Sequence, residues 1–143
     1  MASTGCGSNT RSLKIALLGT KSLNQDDWGD PLPVIVWIYQ LRSREKFDQA
    51  TFKSLWRGDK DLLEGDLVER KELTLHPESK AVVDVEVDKT KGAKFLGVMA
   101  LFRKPEGTTW KNVFSNDVSH WPFSTPVVRV RLDERTVTLV EKE

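Results

Sequence analysis

The side chains that most often carry out chemistry are few and scattered in this 143-residue sequence. Its two histidines, His76 and His120, lie far apart, and a single cysteine, Cys6, excludes an internal disulfide and a cysteine-built metal site. The sequence contains neither a glycine-rich phosphate loop nor a Gly-x-Ser-x-Gly nucleophile motif. We therefore expect a protein that is not an enzyme, with no metal, no cofactor and no small-molecule substrate.

The charged residues do not indicate a nucleic-acid partner. The sequence has 22 Lys plus Arg against 21 Asp plus Glu, so it produces no strong net field toward nucleic acid or an anionic membrane. Asp84, Glu86 and Asp88 alternate with valines, which is typical of a strand with one solvated face and argues against an acid/base pair. A partner must therefore be recognised by shape and local chemistry.

Cys6 follows Ser-Thr-Gly, which resembles the end of a bacterial lipoprotein cleavage box, where small residues precede an acylated cysteine. The alternative is a free thiol in a polar segment. Residues 1–12 are small and polar, and we interpret them as a flexible tether to a domain of residues 13–143. No basic and apolar signal-peptide segments stand ahead of Cys6, which indicates a soluble form made without its leader.

A long loop offers the best candidate for binding. The chain between Thr20 and Pro33 is dense in Asn, Asp, Gly and Pro, and it is longer than an ordinary hairpin loop of about 2–5 residues. Within it Trp28 is flanked by three aspartates. One interpretation makes Trp28 a plug that folds back over the end of the domain. The other makes it an aromatic anchor inside an acidic rim, as in a protein-binding hot spot.

The loop must be positioned by strands on either side. Leu13–Leu18 alternates and predicts a first strand, and Val34–Leu41 is an almost wholly apolar run that predicts a strand covered on both faces. Residues 43–65 predict a short helical insertion in which Phe47, Phe52, Leu55 and Trp56 pack inward.

Alternation returns after residue 65 and continues nearly to the end of the chain, which favours further antiparallel strands. The run from Phe95 to Phe102 predicts a second central strand, where Gly97 admits a large neighbour such as a tryptophan. About eight short strands and one helical insertion predict a mostly β protein, a two-sheet β-sandwich. If strands alternate in direction, the turns at His76, Lys104 and Glu134 lie at the same end as the long loop.

Several segments in this order resemble the TssJ (SciN) family of type VI secretion lipoproteins. They are Asn24 with its Gly-Asp-Pro-Leu-Pro loop, the strand Pro33–Leu41, the insertion from Phe47 to Lys60, and the strand Phe95–Arg103. Two positions depart from the family pattern, since Gln25 stands where we expect proline and Trp37 where arginine is frequent.

The resemblance implies a transthyretin-like sandwich held at the periplasmic face of the outer membrane by an acylated Cys6, with Gly7 after it compatible with export there. It implies docking to the C-terminal periplasmic domain of TssM through the loop between the first two strands. The implied contact residues are Leu23, Asn24, Gln25, Asp26, Asp27, Trp28, Gly29, Asp30, Pro31 and Leu32, with a possible wider contact at His76, Lys104 and Glu134.

Two other classes of function remain as alternatives. A glycan- or envelope-binding sandwich would use Trp28, Trp110 or Trp121 as exposed platforms. A transthyretin-related hydrolase would need clustered His and Arg and a characteristic C-terminal end, whereas this chain ends in Val140-Glu-Lys-Glu.

Overall fold

The structure, a computed structural model, describes residues 10–116 and 126–140, and these residues form eight strands and two short helices. In chain order they are β1 (Thr10–Gly19), β2 (Val34–Leu41), α1 (Glu45–Gln49), α2 (Phe52–Leu62), β3 (Leu67–Leu75), β4 (Ser79–Asp88), β5 (Phe95–Ala100), β6 (Lys111–Ser115), β7 (Val127–Asp133) and β8 (Thr136–Val140). None of the helices among these residues is long and apolar enough to cross a membrane.

The strands form two four-stranded sheets, with orders β4-β1-β7-β8 and β3-β2-β5-β6. The predicted two-sheet sandwich with a helical insertion is thereby confirmed. One pair departs from the antiparallel prediction, because β1 and β7 run parallel. Alternation reports which face of a strand is wet but carries no information about its direction, so the pattern could not reveal this pair.

The apolar run after Pro33 is a central strand, as predicted. Every side chain of β2 is buried except Ile35, because sheet neighbours flank the strand and its two faces are covered by the opposing sheet and by the helices. Tyr39 and Leu41 are fully buried, and burying such side chains stabilises the fold by about 1.5–3 kcal/mol each. This strand fixes the C-terminal root of the long loop.

The helical insertion packs on β2 and β5 through Phe47. A Cβ added to Gly97 would lie 3.0 Å from two ring carbons of Phe47, so the glycine makes room for a phenylalanine and not for the tryptophan we expected. The same ring lies 5.3 Å from the ring of Tyr39. The insertion therefore covers the middle of the second sheet.

Two details of α2 differ from the expectation. Leu55 is buried, but Trp56 is 56% exposed and does not join the inward cluster. The inward position one turn later is taken by Asp59, which is 7% exposed and accepts hydrogen bonds from the Tyr39 hydroxyl at 2.9 Å and from Arg70 at 2.6 Å. A polar side chain with buried partners thus occupies a site that hydrophobic spacing alone would assign to an apolar one.

The first strand begins three residues earlier than predicted. Thr10, Arg11 and Ser12, which we assigned to the tether, pair with Asp88, Val87 and Glu86 of β4. The long partner strand supplies hydrogen-bond sites as far as Asp88, so polar side chains continue the ladder. The expectations for residues 1–9, including Cys6 and Gly7, lie outside the described residues, as do those for His120 and Trp121.

Candidate functional site

The candidate site is the β1–β2 loop, residues 20–33, which folds into a narrow finger at one end of the sandwich. The N–H of Leu32 donates to the carbonyl of Leu23 at 2.9 Å, and the N–H of Asp26 donates to the carbonyl of Asp30 at 2.9 Å. These two cross-links join the ascending and descending arms. The loop is therefore held by its own backbone despite its length.

Asn24 fixes the base of the finger to three other parts of the chain. Its N–H donates to the carbonyl of Glu134, its side-chain nitrogen donates to the carbonyl of Pro33, and its side-chain oxygen accepts from the N–H of Arg103, all within 2.9–3.0 Å. The residue is 6% exposed and has φ +49°, a left-handed conformation that asparagine tolerates better than most residues. Its residue type thus satisfies both the backbone and the hydrogen bonds.

Asp26 organises the tip of the finger. One carboxylate oxygen of Asp26 accepts from the N–H groups of Trp28 and Asp30, each at 2.9 Å. Gly29 completes the turn with φ +86°, and its N–H donates to the Asp26 carbonyl at 3.1 Å. An aspartate that bonds backbone groups two and four residues ahead sets the conformation of a turn before any partner arrives.

Trp28 projects from this tip with 85% of its surface exposed. The interpretation that Trp28 plugs the end of the sandwich is therefore wrong. Among the described residues it is the most exposed large hydrophobic side chain. Such exposure leaves a large apolar surface to be buried by something else.

The acidic rim around Trp28 is partly neutralised. Asp27 accepts from the Arg103 guanidinium at 3.1 Å and from the Lys104 amino group at 2.8 Å. These hydrogen bonds and charges, that of Lys104 first, lower the pKa of the Asp27 carboxyl below its usual range. The side of the loop that faces the turn after β5 therefore presents a mixed set of charges.

The three turns named in the sequence analysis do lie at this end. The N–H of Glu78, in the turn that begins at His76, donates to the carbonyl of Thr20 at 3.3 Å. The Lys104 amino group donates to the Asp27 carboxylate, and the carbonyl of Glu134 accepts a hydrogen bond from the N–H of Asn24. The side chains of His76, Lys104 and Glu134 are exposed. Their participation in partner binding stays a prediction.

The structure adds one residue that sequence reasoning left out of the site. The backbone N–H of Arg103 donates a hydrogen bond to the side chain of Asn24, and its guanidinium donates one to the carboxylate of Asp27. Its place directly after the apolar run of β5 indicated that it lies at a strand end. Nothing in the sequence around Arg103 indicated that Asn24 and Asp27, almost 80 residues away, would be its partners.

The structure weakens two other candidate functions, sugar binding by Trp110 and metal binding. Trp110 is 2% exposed, so it offers no platform for a sugar ring. Within residues 10–116 and 126–140, no three His, Cys, Asp or Glu side chains are grouped as metal ligands. Of the candidate sites considered, the β1–β2 loop is the one that presents a strongly exposed aromatic side chain.

A protein-family model matches most of the chain. A family model, T6SS-SciN, described as type VI secretion lipoprotein and naming VasD, EvfM and TssJ, matches residues 11–135. The chain belongs to this family. The match extends from β1 to the turn before β8 and includes the whole β1–β2 loop. No curated protein matched the chain.

Solved structures give the same result. The T6SS lipoprotein TssJ1 from Pseudomonas aeruginosa is 23% identical, with a TM-score of 0.79 over 93% of this chain and 97% of its own. Serratia marcescens Lip, a membrane-bound component of the type VI secretion system, is 20% identical, with a TM-score of 0.80 over 93% and 98%. At these identities the two proteins establish a shared fold.

Two further chains are more similar in sequence. One belongs to a structure described as a type VI membrane complex and is 31% identical, with a TM-score of 0.80 over 92% of this chain and 98% of its own. The other comes from a structure described as the T6SS protein TssM C-terminal domain (869-1107) from EAEC and is 30% identical, with a TM-score of 0.79 over 92% and 99%. The resemblance to the type VI secretion lipoproteins is confirmed.

Proposed function

We propose that this protein is an adaptor of the type VI secretion membrane complex that acts without catalysis. Acylated Cys6 holds it at the periplasmic face of the outer membrane, the sandwich that begins with β1 supplies rigidity, and the β1–β2 loop docks the C-terminal periplasmic domain of TssM. The observation that carries the docking proposal is Trp28, 85% exposed at the tip of a loop fixed by internal hydrogen bonds. The family is defined by secretion and lipid attachment, which supports a role in assembly.

The geometry of the loop suits a binding anchor. Tryptophan is among the residues enriched at binding hot spots, where truncation to alanine costs about 2 kcal/mol or more. Because Asp26 and Asn24 already hold the loop, binding requires little further ordering of its backbone. Burial of the Trp28 indole ring against the partner can then contribute directly to the binding free energy.

The choice of TssM as partner rests on a relative. A domain spanning residues 869–1107 is far longer than 143 residues, yet the matched chain in that structure is covered to 99% by this protein. We infer that the matched chain is a smaller component in the same structure as the TssM domain. A similar chain in a type VI membrane complex supports the same assembly.

The anchor is proposed on sequence and family together. Cys6 is the single cysteine of the chain, it follows small residues, and the family is one of lipoproteins. Replacement of Cys6 by serine in a chain expressed with a lipoprotein leader should abolish incorporation of labelled palmitate and release the protein from outer-membrane fractions. Label retained by the Cys6→Ser chain would exclude this residue as the acylation site.

The docking proposal is tested by calorimetry with the purified periplasmic domain of TssM. Trp28→Ala should weaken binding by about 30-fold or more, which corresponds to about 2 kcal/mol. Trp56→Ala is the matched control, since Trp56 is also exposed but lies on α2, away from the loop. Equal dissociation constants for wild type and Trp28→Ala would exclude Trp28 as the anchor.

A second variant separates the loop from its tryptophan. Replacement of residues 25–31 by a Gly/Ser linker leaves the buried Leu23 and Asn24 in place, so it should abolish binding while the thermal unfolding midpoint of the sandwich falls only modestly. If the wild-type chain does not bind the TssM domain at all, the adaptor proposal fails. A glycan screen with wild type and Trp28→Ala then tests the carbohydrate-binding alternative, in which the exposed Trp28 would be the platform for a sugar ring.

A further inference from the structure

A recess lies at the end of the sandwich opposite the β1–β2 loop. It has a volume of ≈ 230 Å³ and opens where β1 begins and β4 ends, beside the start of β5 and the end of β6. Val87 and Ala93, both buried, contribute its apolar surface. The cations Arg11, Lys89 and Lys94 line its rim.

Among the residues that the structure describes, these three cations have no acidic partner. The ion pairs formed within the described part of the chain involve other basic residues, and none includes Arg11, Lys89 or Lys94. Asp88 lies in the same turn and stays negatively charged, because its carboxylate accepts from the N–H and hydroxyl of Thr90 at 2.9 and 2.6 Å and these bonds lower its pKa. Lys91, also in this turn, is exposed, so four cations stand against this one carboxylate among the described residues. The described rim therefore carries a net positive charge, although the charges of the whole chain nearly balance.

The recess is tied to the N-terminus by a short length of chain. Arg11 follows Cys6 by five residues, and five residues span at most about 18 Å whatever their conformation. If Cys6 carries acyl chains in a bilayer, the recess must lie close to the headgroups. This step rests on the lipid anchor proposed above.

We propose that the recess rimmed by Arg11, Lys89 and Lys94 binds the phosphate of an anionic phospholipid headgroup in the leaflet that holds Cys6. Each basic residue near an anionic bilayer strengthens attachment by about fivefold. The headgroup contact also fixes the orientation of the protein relative to the bilayer. With this end on the membrane, the β1–β2 loop points away from the bilayer toward the periplasm.

The contact is tested on vesicles to which the chain is coupled through Cys6. The thiol of the single cysteine reacts with a maleimide lipid, so every molecule is held at the same point. Acetylation of individual lysines is then followed by mass spectrometry on vesicles of phosphatidylcholine alone and with 30% phosphatidylglycerol. Lys89 and Lys94 should react several-fold more slowly on the anionic vesicles, whereas Lys53 and Lys60 on α2 should react equally on both.

A matched pair of variants tests whether position or total charge matters. In the unlipidated Cys6→Ser chain, replacing Arg11, Lys89 and Lys94 by glutamine should reduce partition onto the anionic vesicles by more than about tenfold. Replacing Lys53, Arg57 and Lys60 by glutamine removes the same charge from exposed positions of α2 and should change partition by less than about threefold. Thermal unfolding confirms that both variants are folded.

Two results would overturn the proposal. They are equal acetylation of Lys89 on both vesicles and equal loss of partition in the two triple variants. Because the vesicle assays contain no TssM and require no enzymatic acylation, their failure is distinguishable from failure of the adaptor proposal.

Discussion

The side-chain oxygen of Asn24 accepts a hydrogen bond from the backbone N–H of Arg103 at 3.0 Å, across 79 residues of sequence. The same amide group donates to the carbonyl of Pro33 at 2.9 Å. One buried side chain thus joins the two arms of the β1–β2 loop to the turn that follows β5. The shape of the candidate binding surface depends on this residue.

Replacement of Asn24 by glycine should loosen the loop without straining its backbone. Glycine tolerates φ +49°, so the change removes the two side-chain hydrogen bonds alone and should lower the free energy of unfolding by about 1–3 kcal/mol. Hydrogen exchange should show faster exchange at Leu32 and Arg103, while amides in the centre of β2 keep their relative protection. Unchanged exchange at Arg103 would show that its N–H is held by another group.

The ion pairs of Asp27 with Arg103 and Lys104 should depend on pH in the acidic range. Because Arg103 and Lys104 lower its pKa, the pairs are intact above the unfolded value near 3.8 and are lost as the pH falls through the lower folded value. Carboxyl NMR shifts should show a midpoint for Asp27 below 3.8 that rises toward 3.8 in Lys104→Gln. A midpoint that does not move in this variant would remove Lys104 as the dominant cause.

Tyr39 offers a test of the packed core, because it is the single tyrosine of the chain. Burial, reinforced by Asp59, raises the pKa of its hydroxyl, so the folded protein is stabilised by the neutral phenol below pH 10 and loses that stability as the pH rises further. Tyrosinate absorbance should stay flat through pH 10 and rise together with loss of circular dichroism. Ionisation near pH 10 in a folded chain would contradict the buried geometry.

Asp59 joins α2 to the second sheet through Tyr39 and Arg70. Removal of its carboxylate by Asp59→Ala leaves the partly buried Arg70 without its partner and should cost about 3 kcal/mol. Tyr39→Phe removes a single hydrogen bond and should cost about 1 kcal/mol. Urea unfolding of both variants and of the double variant measures the coupling; strictly additive costs would mean that the two side chains do not interact.

The close approach of Phe47 to Gly97 predicts an overpacking effect. Gly97→Ala places a methyl group 3.0 Å from the ring, which should lower the free energy of unfolding by about 1–3 kcal/mol. The smaller Phe47→Leu side chain should recover part of this loss in the double variant. A double variant that is less stable than either single variant would refute the proposed contact.

The strands were predictable from two patterns: apolar residues at intervals of two, most clearly in β4, and the continuous apolar runs of the central strands β2 and β5. The β1–β2 loop was predictable from its content of Asn, Asp, Gly and Pro, whereas its role in docking, which the family resemblance implies, stays a prediction. The parallel pairing of β1 with β7 was not predictable, since side-chain alternation is the same in both directions. Polar contacts between separate elements, such as Asn24 with Arg103 and Asp59 with Arg70, were not predicted either. The sequence around each of these residues does not indicate its partner.

Strand β1 runs the full length of its sheet, from the end that carries the N-terminus to the end that carries the β1–β2 loop, about 30 Å away. It lies between β4 and β7 and pairs with both. A pulling force between a lipid-held N-terminus and a partner on the loop would act along this strand. Both ladders would then be loaded in shear, and their hydrogen bonds would have to break together, which is the arrangement of strands that best resists such a force.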